Sequence, residues 1–155
     1  MTGATRRRTA ILISGRGSNM QALVQASRAT DYPAEIALVL SNRADAAGLA
    51  WAEQQGISTA TVDPKAFPDR AAFDQRIGET LREAGIELVA LAGFMRLMTA
   101  DFVNSWRGRM INIHPSLLPA FKGLDTHARA LAAGVKIAGC TAHFVTSEMD
   151  EGPII

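Results

Sequence analysis

Short apolar runs alternate with segments of helical periodicity along most of the chain. The runs with the length and composition of buried strands cover residues 9–14, 36–40, 58–62, 88–92, 110–114 and 137–145. Between them lie segments whose apolar residues are three and four positions apart, as Met20, Leu23 and Val24 are. This spacing predicts amphipathic helices between the strands.

The predicted helices complete a regular alternation with the strands. They cover residues 20–27, 46–55, a segment that includes 73–81, 99–105 and 126–133. Strands that alternate with helices every ~20–25 residues form βαβ units with parallel strands. The chain is therefore predicted to be a single α/β domain over residues 1–155. Its sheet is open and mostly parallel with helices on both faces, a Rossmann-like arrangement.

Composition and charge narrow the classes of partner. Hydrophobic residues make up 48% of the chain and charged residues 20%, which is ordinary for a globular domain. Lysine and arginine total 16 against 15 acidic residues, for a net charge of +1. This balance gives no reason to expect nucleic acid or an anionic membrane as a partner. The short Arg6–Arg7–Arg8 run is predicted to be a solvated lead-in to the first strand.

The single cysteine, Cys140, excludes an internal disulfide and a thiolate metal cage. It lies among small and apolar residues, so we expect a buried side chain rather than a nucleophile. No apolar run approaches the ~18 residues of a membrane span, and the N-terminus does not resemble a secretory signal. A cytoplasmic location is the expectation.

The Met110–His114 strand carries the first candidate chemistry. Asn112 and His114 are two positions apart, so their side chains share one face, roughly 6.6 Å apart along the backbone. Pro115 ends the strand, which places both near its carboxyl end, where open α/β sheets bind ligands. The amide can donate to a developing oxyanion and the imidazole can move a proton, a pair suited to acyl-type transfer. The alternative is a hydrogen-bonded structural histidine.

A glycine-rich turn, Ser14–Gly15–Arg16–Gly17–Ser18–Asn19, follows the first strand. Such a turn before a helix is an anion site, and Ser18 is the predicted N-cap. The dinucleotide fingerprint fails because Met20 stands at its third glycine position, and the Gly-Lys-Ser/Thr of a Walker A loop is absent. A phosphate loop for a smaller ligand remains, with a plain βα turn as the alternative.

An acidic turn near the end of the chain offers a carboxylate partner for His114. Asp150 is the preferred candidate and Glu148 the competitor, while a solvent-facing acidic run is the alternative. His143, on the preceding strand, is predicted either to support the site through hydrogen bonds or to be a core residue. His127 is predicted to start a helix and receives no chemical role.

These stretches together resemble the folate-dependent formyltransferase family, and specifically phosphoribosylglycinamide formyltransferases. The resemblance runs from Thr9 to near the end of the chain. It is carried by the segments 15–19, 41–46, 91–96, 112–119, 122–127 and 143–154. The Asn-x-His-x-Ser-Leu-Leu-Pro stretch is specific to formyl-transfer folds, and the Gly-x-Gly-Ser-Asn turn separates this member from its relatives.

The resemblance implies transfer of a formyl group from 10-formyltetrahydrofolate, as co-substrate, to the amino group of glycinamide ribonucleotide in purine synthesis, without a metal. The implied ribonucleotide contacts are Gly17, Ser18 and Asn19. The implied folate contacts are Arg70, Met95, Arg96, Leu97, Met98, Asn112, Thr146, Ser147, Glu148, Met149 and Asp150. The implied catalytic residues are Asn112, His114 and Asp150.

Some alternatives stay open at this level. A formyltetrahydrofolate hydrolase shares the catalytic set, and a noncatalytic nucleotide-binding protein would use only the phosphate loop. A methionyl-tRNA formyltransferase would need an added RNA-binding domain and a basic surface. Family members continue past Ile155 with a further strand and helix, so we expect the domain to lack those elements. A monomer and a homodimer are both compatible with the sequence.

Overall fold

Strands and helices alternate along residues 5–155, the part of the chain that the computed structural model describes. Residues 1–4, which the predicted domain includes, lie outside the described residues. The strands are β1 (Arg7–Ile13), β2 (Ala34–Ser41), β3 (Ser58–Thr61), β4 (Leu88–Leu91), β5 (Met110–His114) and β6 (Thr141–Phe144). The α-helices are α1 (Ser18–Ala26), α2 (Ala47–Gln54), α3 (Arg70–Glu83), α4 (Ala100–Ser105) and α5 (Thr126–Ala132). A short 3-10 helix, Pro64–Ala66, precedes α3.

The strands form one six-stranded sheet in the order β3-β2-β1-β4-β5-β6. Neighbours from β3 to β5 are parallel, and β6 alone runs antiparallel, beside β5. The predicted fold class, a mostly parallel α/β sheet with helices on both faces, is therefore confirmed. The strand order reverses between β1 and β4, which is where ligands bind in open α/β sheets.

Two apolar layers cover the two faces of the sheet. Alternate residues of β1 point to opposite sides, so Leu12 packs in one layer while Ile11 and Ile13 pack in the other. Helices α3 and α4 cover the first face. Helices α1 and α2 cover the second, and Gly48 of α2 lies so close to Ile13 that an added Cβ would overlap its Cδ1 atom.

Arg7 and Arg8 are exposed as predicted, but they belong to the first strand and do not lead into it. Arg7 and Arg8 are the first residues of β1, and only Arg6 precedes the strand. The Arg6 side chain donates to three backbone carbonyls of the α1–β2 connection. Glu87 accepts from the backbone N–H of Arg8 and lies 3.2 Å from the Arg7 guanidinium, and these contacts lower the pKa of Glu87.

The last predicted strand was too long at its start. Residues 137–140 lie outside β6 and are exposed, so the expectation that Cys140 is buried was wrong. Pairing along β5 decides this boundary. His114 is the last residue of β5 and faces Thr141, which leaves residue 140 with no strand to pair against.

Among residues 5–155, no helix has the length and apolar character needed to cross a membrane.

Leu81 on α3 provides a test of the larger apolar layer. It is 0% exposed and packs against the sheet with Phe73 and Ile77. We expect Leu81→Ala to lower the free energy of unfolding by about 2–5 kcal/mol, because it leaves a cavity that the neighbours fill only partly. Denaturant unfolding measures the change. The matched control is Leu131→Ala, since Leu131 is 82% exposed; a change above about 0.5 kcal/mol there would contradict the assignment.

Candidate active site

Asn112 and His114 lie on the face of β5 that α3 and α4 cover. Met110, two residues before Asn112, packs in the same apolar layer as Leu91, which pairs with Asn112 in the sheet. Asn112 is half-buried and His114 is 5% exposed. Strand alternation therefore places the two side chains on one face, as predicted.

The His114 ring lies between a carboxylate and a carbonyl. Its Nδ1 atom is 3.4 Å from Oδ1 of Asp150, within ion-pair distance, and both side chains are buried. Its Nε2 atom donates to the carbonyl oxygen of Phe121 at 2.9 Å. Both neighbours are acceptors, so each ring nitrogen faces a group that can receive a hydrogen bond from it. The competitor Glu148 is exposed and does not contact His114 among the described hydrogen bonds and ion pairs.

Asp150 reaches His114 because the chain folds back after β6. Strand β6 is antiparallel to β5, so its last residue, Phe144, lies opposite Ile111, and the turn starts far from His114. The turn closes where the N–H of Phe144 donates to the carbonyl of Pro153 at 2.9 Å. Asp150 adopts a φ of 56°, which is in the left-handed region. A residue other than glycine keeps this conformation only where surrounding contacts hold it.

The loop after β5 is tied to the acidic turn. The Gly123 N–H donates to Oδ2 of Asp150 at 2.8 Å, and Lys122 Nζ lies 2.6 Å from Oε1 of Glu151. Both Asp150 oxygens are therefore engaged, one by His114 and one by the loop. These contacts fix the carboxylate beside the ring.

His143 orients the Asn112 amide. Nδ1 of His143 is 3.0 Å from the Phe144 carbonyl oxygen, so Nδ1 carries the proton and donates it. Nε2 is then an acceptor, and it lies 3.3 Å from Nδ2 of Asn112. One N–H of the amide is thus directed at His143 and the second is left for another acceptor. Of the two predicted roles for His143, the structure supports hydrogen bonding to the site, although the side chain is also buried.

The glycine-rich turn caps α1 differently from the prediction. Gly17, not Ser18, is the N-cap, and Ser18 is the first helical residue, so the predicted side-chain cap was wrong. Gly17 adopts a φ of 68°, which glycine accepts without strain, and the turn needs no serine cap. Ser18 and Asn19 are exposed at the start of α1, where the first backbone N–H groups have no partner within the helix.

The residues Met95–Met98, which are predicted to contact folate, lie in an irregular loop after β4, residues 93–98. Met95 and Leu97 are 67% and 59% exposed, whereas Met98 is half-buried against the apolar layer. The Arg96 guanidinium lies 5.3 Å from the centre of the Phe73 ring on α3. Arg70 is exposed at the start of α3, three residues before Phe73 and therefore on its side of the helix.

The residues near the end of the chain that are predicted to contact folate, residues 146–150, form the acidic turn. Thr146 is half-buried and its hydroxyl donates to the Glu148 carbonyl at 3.2 Å. Ser147, Glu148 and Met149 are exposed, and Asp150 alone of this set reaches inward to His114. The apolar Met149 and Val145 flank this polar stretch, and Val145 packs on the same apolar layer as Phe94 and Met98.

The loop atoms around His114 were not predicted from the sequence. Phe121 acts through its carbonyl, which every residue carries, and Gly123 through its N–H, which every residue except proline carries. The composition of residues 120–125 therefore contains no direct signal for these contacts. The resemblance in residues 122–127 was the one pointer to this segment.

A cavity of about 370 Å³ lies on the opposite face of the sheet, between α1 and the strands β4 to β6. Its lining is mainly alanine, leucine and isoleucine, with Asn19 and Asn112 at its polar boundary. His114 and residues 94–98 do not line it. Within residues 5–155, no cluster of histidine, cysteine and acidic side chains has a metal-binding arrangement.

Comparison with known proteins places this geometry in a family. A model of the family described as formyl transferase matches residues 7–155. The chain belongs to the formyl transferase family. Among curated family members, it is 43% identical to the phosphoribosylglycinamide formyltransferase of Haemophilus influenzae over 149 residues, which cover 96% of this chain and 70% of the relative.

Other relatives are longer than this chain and are matched over part of their length. It is 51% identical to the bovine trifunctional purine biosynthetic protein adenosine-3 over 148 residues, 96% of this chain but 15% of the relative. The crystal structure of glycinamide ribonucleotide transformylase 1 from Symbiobacterium toebii has a TM-score of 0.94 and 46% identity, covering 100% of this chain and 76% of that one. This formyl transferase domain therefore spans about one seventh of the trifunctional relative and three quarters of the bacterial one.

Gly152 tests the fold of the acidic turn. An added Cβ there would overlap the carbonyl oxygen of Phe144 and lie 2.7 Å from its carbonyl carbon, so backbone must move. We expect Gly152→Ala to displace Asp150 from His114 and to lower the free energy of unfolding by about 1–3 kcal/mol. Denaturant unfolding and a crystal structure of the variant measure the two effects.

The control for this change is Gly15→Ala, since a Cβ at Gly15 meets no atom within 4 Å. We expect that variant to stay within about 0.5 kcal/mol of the parent. Equal stability of the two variants, with Asp150 in place, would contradict the account of the turn.

Proposed function

We propose that this chain catalyses the transfer of a formyl group from 10-formyltetrahydrofolate to the amino group of glycinamide ribonucleotide, a step of de novo purine biosynthesis. The observation that supports it most is the approach of the Asp150 carboxylate to within 3.4 Å of the His114 ring, on the strand that also carries Asn112 on the same face. The names of the bacterial and animal relatives support the same reaction.

The proposed chemistry is a substitution at the formyl carbon. The ribonucleotide amine attacks that carbon, and the formyl oxygen becomes an oxyanion. The second N–H of Asn112 and the protonated His114 ring donate to this oxyanion. The bond from the formyl carbon to the folate nitrogen then breaks, and the proton lost by the amine reaches that nitrogen.

Asp150 has two parts in this scheme. Its carboxylate lies beside Nδ1 and orients the ring so that His114 donates to the oxyanion. It also helps to order a water molecule that relays the proton between the two nitrogens. His114 can act only once Nε2 is released from the Phe121 carbonyl, so binding of substrate must displace that contact.

The substrates are proposed to occupy the loops that flank these residues. Gly17, Ser18 and Asn19 hold the ribonucleotide, whose phosphate suits the N-terminus of α1. Folate lies between the two loop segments, and its contacts are Arg70, Met95, Arg96, Leu97, Met98, Asn112, Thr146, Ser147, Glu148, Met149 and Asp150. The exposed methionines and Leu97 suit an aromatic ring, and Arg70 suits the glutamate portion.

The reaction uses small molecules and no metal, and it takes place in the cytoplasm without a nucleic-acid or membrane partner. The chain acts as a monomer or a homodimer.

An absorbance assay of the folate product tests the reaction against its alternatives. Product that forms only when glycinamide ribonucleotide is present is the expected result, because the amine is the acceptor. Product without the ribonucleotide would show a hydrolase. No product under either condition, with the ribonucleotide still bound, would show a nucleotide-binding protein and contradict the proposal.

His114→Ala tests the proposed donor. We expect turnover to fall by at least ~10², the size of a lost acid–base contribution, with the fold retained. Steady-state kinetics and circular dichroism measure the two properties. His127→Ala is the matched control, because His127 is exposed on α5. Normal turnover of the His114 variant would remove this residue from the mechanism.

A further inference from the structure

The Ser14 hydroxyl joins three segments that are distant in the sequence. Ser14 follows the last residue of β1 and is the first residue of the glycine-rich turn. Its Oγ donates to Oδ1 of Asn42 at 2.6 Å and accepts from the backbone N–H of Met95 at 2.7 Å. The Ser14 and Asn42 residues are 7% and 8% exposed, so these bonds are shielded from water. Met95 itself is exposed, and its backbone is held while its side chain faces solvent.

Loop 93–98 has a second anchor at its other end. The N–H of Thr99 donates to Oδ2 of Asp74 at 2.6 Å, and Asp74 is 2% exposed on α3. This anchor joins the loop to a helix and makes no contact with the glycine-rich turn. Ser14 is thus the anchor that connects the loop to the turn.

Asn42 belongs to the segment 41–46, which has no role in the proposed reaction. The N–H of Arg43 donates to the Ser41 hydroxyl at 3.1 Å, and Arg43 forms two hydrogen bonds with Asp45. Those bonds lower the pKa of Asp45, which lies on the surface. Residues 41–45 therefore form a corner held by its own hydrogen bonds, and the side-chain oxygen Oδ1 of Asn42 faces Ser14 from it.

We infer that Ser14 is a positioning residue that holds loop 93–98 in register with the glycine-rich turn, with Asn42 as the group that orients its hydroxyl. The inference rests on the proposed function, in which the turn binds the ribonucleotide and the loop binds folate. Asn42 Oδ1 accepts the hydrogen bond from the Ser14 hydroxyl, and this directs a lone pair of Oγ at the Met95 N–H. Ordering of the turn by the ribonucleotide then also orders the loop that receives folate.

Amide hydrogen exchange at Met95 tests the link directly. In the parent protein we expect slow exchange at Met95, and a further slowing of about 3-fold or more when glycinamide ribonucleotide alone is added. In Ser14→Ala we expect exchange at Met95 to rise about 3- to 10-fold, the effect of one lost hydrogen bond, and to stop responding to the ribonucleotide. The Thr99 amide, bound to Asp74, is the internal control and stays unchanged.

Kinetics give a readout that a general loss of stability would not produce. We expect Ser14→Ala to raise the KM for the folate about 3- to 10-fold, while kcat changes less, because the loop must be ordered at the cost of binding energy. Ser27→Ala is the matched control, since that hydroxyl donates to the Val24 carbonyl at 2.7 Å, away from both loops. It is expected to leave Met95 exchange and the folate KM at the parent values.

The outcomes separate this inference from the proposed function. A Ser14→Ala protein that binds both substrates and exchanges at Met95 as the parent does would overturn the inference alone. So would faster exchange that still slows with the ribonucleotide as much as in the parent. A parent protein that binds neither substrate would contradict the proposed function.

Discussion

The fixed placement of the His114 ring is the constraint on which the candidate site depends. A buried imidazole needs partners for both nitrogens, and here one partner comes from the turn after β6 and the other from the loop after β5. Two long irregular segments are therefore held against one ring. If either partner moves, a buried polar group loses its hydrogen bond.

Backbone strain in these segments follows from the same requirement. Phe121, Asp125 and Asp150 have φ values of 54°, 54° and 56°, a conformation that costs a residue other than glycine about 1–2 kcal/mol. Hydrogen bonds offset part of that cost: Gly123 donates to Asp150, and Ser116 donates to the Ala120 carbonyl at 2.6 Å. These residues with an unfavourable backbone conformation are thus kept in place by contacts among the loops. Those contacts also keep the carboxylate and the carbonyl at the ring.

Hydrophobic periodicity was enough to predict most of the fold. The strand at Met110–His114 was predicted with the bounds that the structure has, because Pro115 ends it and its apolar run is short. The start of the last strand was misplaced, since the apolar character of residues 137–140 says nothing about whether a neighbouring strand is available. The cap of α1 was also wrong, because Gly17 in a left-handed conformation replaces a serine cap and no local pattern distinguishes the two.

The sequence by itself determined the alternation of strands and helices, the shared face of Asn112 and His114, and the carboxylate candidates. These properties depend on local periodicity and on residue type. Only the tertiary structure decided that Asp150 rather than Glu148 meets His114, that the Phe121 carbonyl occupies the other nitrogen, and that Ser14 joins two loops. These contacts depend on the antiparallel direction of β6 and on backbone groups, which are the same in nearly every residue and leave no mark in the amino-acid pattern.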